Sequence, residues 1–549
     1  MISKEPLFRK LNIFILMSFL AFSHFATAAN DLSNASSASA VSSASTPAPN
    51  IRSTQKPHSA QNSIPAHTSA PNFPQNPNLD NVFNSFDPPG APVPARIRLI
   101  FNNEDAWYAR WNILNQAKKS IVCTYFIVDK DVFGMSFLGL LRKKAQEGVK
   151  IRLMIDDRFF AQERKFMDYD ELDEIARFPN VEIKMYNSIP KVIFDRIRDW
   201  ENVMVSDHDK IIIIDGNLSM TGGRNIGRNY FIQYGEDPNV FADMDVVIQG
   251  KNLADRLLMA FEEEWGCIRN STIKPDLVNL VDQSDNLDLA YRVMNRYLLG
   301  AGVEDPTKLN VSDSFKKILQ KYNSEIVKYK KLSSYSSFQL FQGEREKPIK
   351  ILDKNSKFGP RDDIRNNLLK LFDAAKNEIL IQNAYVVLED DIWAGLKRAS
   401  DRGVKIVINT NSGESTNHES TVAFFMNDWK KILTDMKNAR ILVFPKGERC
   451  LHTKAFAIDR QVAVIGTYNL DPLSAVVNSE EMAVINDRPF ATRTALHMCE
   501  DFKRCLEYKI EIDRDNNIKV IFGPEEHTST EIMKKLNFLR KIQWIRPLI

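Results

Sequence analysis

The sequence predicts an α/β protein made of two similar halves that arose by internal duplication and pack with pseudo-two-fold symmetry around one shared active site. Three observations predict it. Residues 208–215 read His-Asp-Lys-Ile-Ile-Ile-Ile-Asp and residues 452–459 read His-Thr-Lys-Ala-Phe-Ala-Ile-Asp, so His-x-Lys-x4-Asp occurs twice. Each copy is followed at the same distance by a small-residue corner and an asparagine, Gly222-Gly223-Arg224-Asn225 and Gly466-Thr467-Tyr468-Asn469. The flanks upstream of the two copies also match in order and spacing.

In the first flank, Ile113-Leu114-Asn115-Gln116-Ala117-Lys118-Lys119-Ser120-Ile121-Val122 runs into Tyr125, then an amphipathic stretch, then Gly148-Val149-Lys150-Ile151. In the second, Leu371-Phe372-Asp373-Ala374-Ala375-Lys376-Asn377-Glu378-Ile379-Leu380 runs into Tyr385, a similar stretch, and Gly403-Val404-Lys405-Ile406. Helical 3.6-residue spacing gives way to continuous apolar runs, so each flank reads helix, strand, helix, strand with buried strands. One long repeat per half argues for duplication and against a solenoid, which stacks several shorter units.

A chain of 549 residues is long enough for two domains. Lys plus Arg number 73 against 70 Asp plus Glu, so no overall charge marks a nucleic-acid binder, and none is expected as partner. At the N-terminus, Lys4, Arg9 and Lys10 precede an apolar run over residues 11–25 and then Ala26-Thr27-Ala28. That order is a secretory signal over residues 1–28, cleaved after Ala28, and predicts an exported, periplasmic or secreted protein. The alternative is an uncleaved anchor, since the run is only slightly shorter than a span of roughly 20 residues. Residues 29–95 are rich in Ser, Ala, Asn and Pro and are expected to form a disordered tether. The first half then covers 96–273, a charged, helix-favouring connecting insert 274–345, and the second half 346–549. The five cysteines are odd in number and lack metal or redox spacing, so no disulfide framework follows. Cys450 reads as a strand-packing residue, with no neighbour to lower its pKa.

Side chains alternate along a strand, so His208 and Lys210 point the same way, as do His452 and Lys454. The apolar residues that follow hold each pair on a rigid strand. Zinc wants three or four His, Cys or carboxylate ligands, and two lysines beside the histidines oppose a divalent cation; no metal and no cofactor are expected. Displacement at a phosphodiester suits the set. The lysines, with Asn225 and Asn469, hold the non-bridging oxygens. One neutral imidazole attacks phosphorus while the other, protonated, serves the leaving alcohol. Asp243 and Glu480 occupy matching places after their motifs and are assigned to orient the histidines. Asp215 and Asp459 belong to the motif, yet alternation points them away from the lysines, so they either join the catalytic set or fix the following turn.

These paired motifs and their flanks resemble the phospholipase D superfamily, over roughly residues 96 to 510. Residues 222–231, with Asp243-Met244-Asp245-Val246, Asn469-Leu470-Asp471-Pro472-Leu473-Ser474 and Asn478-Ser479-Glu480, are most similar to the bacterial cardiolipin synthase branch, C type. In that branch an acidic residue commonly precedes the Tyr-Phe pair; here Asn229 stands there. The resemblance implies two α/β/α halves packed face to face, a phosphohistidine intermediate, and phosphatidyl transfer between phospholipids at a membrane surface, with phosphatidic acid when water is the acceptor. It implies His208 as nucleophile and His452 as general acid and base. A secreted phospholipase D, a superfamily nuclease and a non-catalytic binding protein are the competing readings. Residues Ile189-Pro190-Lys191-Val192-Ile193-Phe194 are a suggested membrane contact.

Overall fold

The computed structural model describes residues 71–549 apart from 72, 91, 158–169, 189–200, 238, 275–285, 309–311 and 516. The expected signal, most of the tether and the suggested membrane contact at 189–194 lie outside the described residues.

The first half contributes β1 (Pro94–Ile100), β2 (Ser120–Tyr125), β3 (Lys150–Asp156), β4 (Val181–Tyr186), β5 (Ile211–Ile214), β6 (Leu218–Gly222), β7 (Phe241–Ala242), β8 (Asp245–Gln249) and β9 (Ser271–Thr272). The second contributes β10 (Glu346–Lys354), β11 (Glu378–Asn383), β12 (Lys405–Asn411), β13 (Ala439–Phe444), β14 (Cys450–Leu451), β15 (Lys454–Ile458), β16 (Val462–Gly466), β17 (Glu480–Asn486), β18 (Leu506–Ile512) and β19 (Ile518–Phe522). Hydrogen bonding orders the first sheet β1-β8-β6-β5-β2-β3-β4-β9, with β2, β3 and β4 parallel. The second sheet repeats that order as β10-β17-β16-β15-β11-β12-β13-β18 and adds β19. Antiparallel pairing of β1 with β10, Ala95 opposite Lys347, joins the two into one sheet.

The expected duplication is therefore present strand for strand. Its register differs from the sequence alignment in one place. Ile121 faces Ile214 as Ile379 faces Ile458, so Tyr125 corresponds to Asn383 and not to Tyr385.

Both faces of each sheet are covered, which explains why the strands read as unbroken apolar runs. On one face of the first sheet lie the helices Asn103–Gln116 and Val132–Gln146, with Asn286–Leu298 and Asp313–Ile326 of the connecting region on top. Gly139 allows that last layer to dock, because a Cβ there would sit 2.2 Å from the Leu287 carbonyl oxygen. Between the sheets runs a core shared by both halves. It includes Ile97, Leu99, Val246 and Ile248 from one and Ile349, Ile351, Ala455 and Ile465 from the other, flanked by helices Lys251–Trp265 and Arg488–Phe502.

The tether ends earlier than its composition suggests. Pro77–Ser85 is a helix capped by the Asn76 side chain, and Leu79, Phe83 and Phe86 are buried in the second half's core with Leu368 and Phe372. Lys350 Nζ donates to the carbonyls of Phe86 and Pro88, both at 2.7 Å. Leu79, Val82, Phe83 and Phe86 follow helical spacing behind an Asn-Pro start. That local pattern was masked by averaging over a Pro-rich and Asn-rich segment.

Candidate active site

The two motifs meet where the halves pack together. His208, Lys210, His452 and Lys454 are all nearly buried, at 6%, 1%, 4% and 1% exposure. In each motif the lysine folds back on its own histidine: Lys210 Nζ donates to the His208 carbonyl at 2.6 Å and Lys454 Nζ to the His452 carbonyl at 2.5 Å. Lys454 Nζ also lies 3.1 and 3.3 Å from the two ring nitrogens of His452.

The carboxylates expected to orient the histidines do so, and they do it crosswise. Glu480, from the second half, binds His208 Nδ1 at 2.9 Å, and Asp243, from the first, binds His452 Nδ1 at 2.7 Å. Backbone pairing explains the exchange. β7 runs parallel to β14, with Ala242 opposite Leu451, and His452 N–H donates to the Ala242 carbonyl at 2.8 Å. Its pseudo-symmetric twin is the parallel bridge between Asp207 and Ser479, where Ser479 N–H donates to Ser206 at 3.0 Å. Each half thus threads its carboxylate past the other half's histidine. Gly223 makes room for this, since a Cβ there would come within 2.1 Å of the Asp243 carboxylate.

With Nδ1 tied to a carboxylate, Nε2 is the ring nitrogen to which substrate chemistry falls in each imidazole. Burial, then the Lys454 ammonium and, more weakly, Lys210, push His452 down to about 3 against the pull of Asp243, so this ring is neutral at physiological pH. Burial brings Lys454 down to about 8 and also lowers Lys210, whose charge is supported by Glu480 and Glu481. Burial raises Glu480 to about 7 despite Lys210. Two ammonium groups held at low hydration beside two imidazoles can bind a phosphodiester anion, stabilise its added charge and transfer protons.

The two asparagines divide their work. Asn225 accepts from Ile127 N–H at 3.1 Å and donates to the Tyr230 hydroxyl at 3.0 Å, so its amide is spent inside the wall of the site. Asn469 is 4% exposed, and its Oδ1, an acceptor, has no hydrogen-bond partner. Asp215 and Asp459 stand apart from the histidines and take the turn-fixing role, which corrects their inclusion among the catalytic residues. Asp215 accepts from the backbone N–H groups of Lys118, Lys119 and Ser120 at 3.0, 2.8 and 2.9 Å. Asp459 does the same for Lys376, Asn377 and Glu378 at 3.0, 2.7 and 3.0 Å, and also receives the Asn76 amide at 2.9 Å. Both occupy the left-handed backbone region, at φ 52° and 49°. A full strand separates them from the lysines.

Several further residues shape the site, some of them, such as Arg224 and Tyr230, within quoted motif stretches and others, such as Phe126, outside them. Phe126 lies edge-on to His208 with centroids 4.9 Å apart, and Tyr230 and Phe241 wall His452 at 5.3 and 5.4 Å. Arg224 holds the loop bearing Tyr230 through Asp245 at 2.9 Å and the Tyr230 carbonyl at 3.2 Å. Asp209 and Glu481 are both buried behind the first motif, and burial, with the Glu481 charge next for Asp209, raises both carboxyls. Asp209 Oδ1 and Glu481 Oε2 have no hydrogen-bond partner. Thr453 and Met244 follow His452 and Asp243 as Asp209 and Glu481 follow His208 and Glu480, so the site is symmetric in its histidines and asymmetric in the residues next to them. Burial pushes the Cys450 thiol up to about 12, in keeping with a packing role. Among the described residues no group of three or more His, Cys, Asp or Glu side chains is arranged to hold a metal ion.

Comparison with known proteins follows the same duplication. The family model described as cardiolipin synthase, PLD-like domain, matches residues 111–265 and again 368–506, more than half of the chain. The chain belongs to this family, a branch of the phospholipase D superfamily. A cardiolipin synthase C of Escherichia coli is 25% identical over 482 residues, covering 80% of this chain and 94% of that protein. An uncharacterised protein of Helicobacter pylori is 24% identical over 417 residues, covering 73% and 78%. In fold, the crystal structure of a Haemophilus influenzae phosphatidylserine synthase covers 86% of this chain and all of its own, with a TM-score of 0.54 at 13% identity.

Proposed function

We propose that this enzyme transfers a phosphatidyl group between phospholipids at a membrane surface through a phosphohistidine, forming cardiolipin when phosphatidylglycerol is the acceptor. The observation that carries the reading is the crosswise site: two imidazoles, each oriented through Nδ1 by the opposite half's carboxylate and accompanied by a lysine. A neutral Nε2 lone pair attacks phosphorus, the bond to the headgroup oxygen breaks, and the second imidazolium protonates that oxygen. The second histidine then takes a proton from the incoming alcohol, whose oxygen displaces the histidine nitrogen. Water in place of alcohol gives phosphatidic acid. The resemblance gives the attack to His208, while the neutral ring of His452 supports the reverse order; sequencing of a trapped phosphopeptide distinguishes the two.

Export belongs to the same proposal. The signal-like N-terminus supports a location outside the cytoplasm, with the enzyme acting at a membrane surface. Among the described residues no helix is long and apolar enough to cross a membrane. Incubation of the protein lacking residues 1–28 with phosphatidylglycerol and phosphatidylethanolamine vesicles, followed by mass spectrometry against His208→Ala, tests the reaction. Cardiolipin supports transfer; phosphatidic acid alone makes it an exported phospholipase D; no His208-dependent product overturns the proposal.

A further inference from the structure

A third lysine lies behind the site, where the other half carries no charge. Lys354, the last residue of β10, stands directly opposite Glu480 in the antiparallel pairing of β10 with β17. It is 3% exposed, and Glu480 is fully enclosed. Its Nζ donates to the Asn478 carbonyl at 2.6 Å and to the Asn355 carbonyl at 3.0 Å. An ammonium leaves water at high cost unless carbonyls and carboxylates replace the lost hydration. Burial lowers Lys354 from the ordinary lysine range, and Glu480 does most to oppose this, ahead of Asp362, Glu264 and Asp209.

Sheet register identifies the equivalent residue of the first half. Gly222 pairs with Asp245 as Gly466 pairs with Met482, and Ile100 pairs with Asp245 as Leu352 pairs with Met482. Counting two residues outward from these pairs makes Asn102 the equivalent of Lys354, and Asp243 that of Glu480. The carboxylate that orients His208 thus faces an extra cation at a place where the first half has a neutral amide.

The other charged or titratable groups facing Glu480 are His208, Lys210, Lys454 and Asp471. Lys210 and Lys454 lie beside the imidazoles, where a substrate phosphate would draw on their charge. Lys354 is bonded instead to carbonyls at the start of β17, and its charge stays with Glu480 when an anion binds. The same bond steadies the segment that delivers Glu480. Asn478 Oδ1 accepts from Ser206 N–H at 3.2 Å, beside the parallel bridge of Asp207 with Ser479.

We infer that Lys354 is a positioning residue for the phosphodiester reaction: it holds Glu480 ionised, so that the ring proton of His208 stays on Nδ1 and the lone pair on Nε2. A protonated Glu480 would instead donate to Nδ1 and leave the ring proton on Nε2, which removes the nucleophile or base. This inference rests on the phosphodiester reading of the site.

The test compares full-length wild type with Lys354→Gln, which keeps a donor for the Asn478 carbonyl without the charge, and with Lys354→Arg, which keeps the charge. Hydrolysis of bis(4-nitrophenyl) phosphate gives the pH profile of kcat/KM. The rate at which diethyl pyrocarbonate acylates His208, read by peptide mass spectrometry, follows the lone pair without turnover. In Lys354→Gln the acid limb of both profiles is expected to move up by about one pH unit, a loss of about tenfold near pH 6 and about twofold near pH 8. Lys354→Arg is expected to keep the wild-type limb even where its rate is lower. A folded Lys354→Gln protein with an unmoved limb overturns the inference. So does a Lys354→Arg limb that moves, which decides the matter where the Gln variant does not fold. Wild type that is acylated at His208 but cleaves no phosphodiester overturns the functional reading, and the acylation profiles then decide the role of Lys354.

Discussion

The Glu480 carboxylate of the second half sits 2.9 Å from Nδ1 of His208 in the first, 272 residues away in sequence. Neither half can therefore present an oriented imidazole alone. Glu480→Gln and Asp243→Asn are each expected to lower kcat by roughly 10²–10⁴-fold while the protein stays folded, because a carboxylate that orients a catalytic imidazole also stabilises its protonated form. Steady-state kinetics beside circular dichroism check this; a loss under tenfold would assign the carboxylates to packing alone.

The pH profile of kcat/KM on a soluble phosphodiester should be bell-shaped with its maximum between about 7 and 8. Below about 7 Glu480 takes up a proton and releases His208; above about 8 Lys454 loses the proton that lets it hold a phosphate. Both limits come first from burial. Lys454→Arg keeps its charge at high pH and should remove the alkaline fall even where its peak rate is lower.

Asp209 and Glu481 are buried beneath the first motif, and burial raises both. A raised carboxyl pKa means stability that is full below the unfolded value and declines as pH climbs through the folded one. The Asp209→Thr, Glu481→Met double variant installs the residue pair that accompanies the second motif, Thr453 and Met244, and should flatten that decline. Either single change leaves one buried carboxyl without its partner and should cost more than the double, with a coupling of about 1–3 kcal/mol. Urea melts at pH 5 and pH 8 measure both effects.

Asp459→Ala strands the amides it gathers at the start of β11 and releases Asn76. The expected cost is about 2–3 kcal/mol of stability, with kcat of the folded fraction within a few-fold of wild type. A drop beyond a hundredfold at unchanged stability would return Asp459 to the catalytic set.

Truncation separates tether from fold. Removing residues 1–70 should leave the melting temperature unchanged, whereas removal through residue 90 uncovers the pocket filled by Leu79, Phe83 and Phe86. Each of those side chains contributes about 1.5–3 kcal/mol, so the shorter protein should melt well below the longer one or aggregate.

Much of this enzyme was legible before any coordinates. His208, Lys210, His452 and Lys454 stood out because their motifs recur with matching flanks, and the isoleucines over residues 211–214 read correctly as a doubly buried strand. Two further points needed the packed sheets. Tyr125 and Tyr385 matched as letters, but β-sheet register set Tyr125 against Asn383. Asp215 and Asp459 matched as motif residues, yet each ends its strand in a left-handed turn and gathers backbone amides there.

Duplication, strand polarity and the chemical character of the site are thus written in local pattern, because alternation, helical period and motif spacing act over a few residues. The crosswise pairing of His208 with Glu480 and of His452 with Asp243, the burial of Asp209 and Glu481 beneath the first motif, and the docking of Pro77–Ser85 onto the second half were decided only by the tertiary structure. Each joins segments far apart along the chain, and which distant carboxylate reaches which imidazole depends on how two whole sheets pack. No local period encodes that choice; burial and the need to satisfy every enclosed polar group select it.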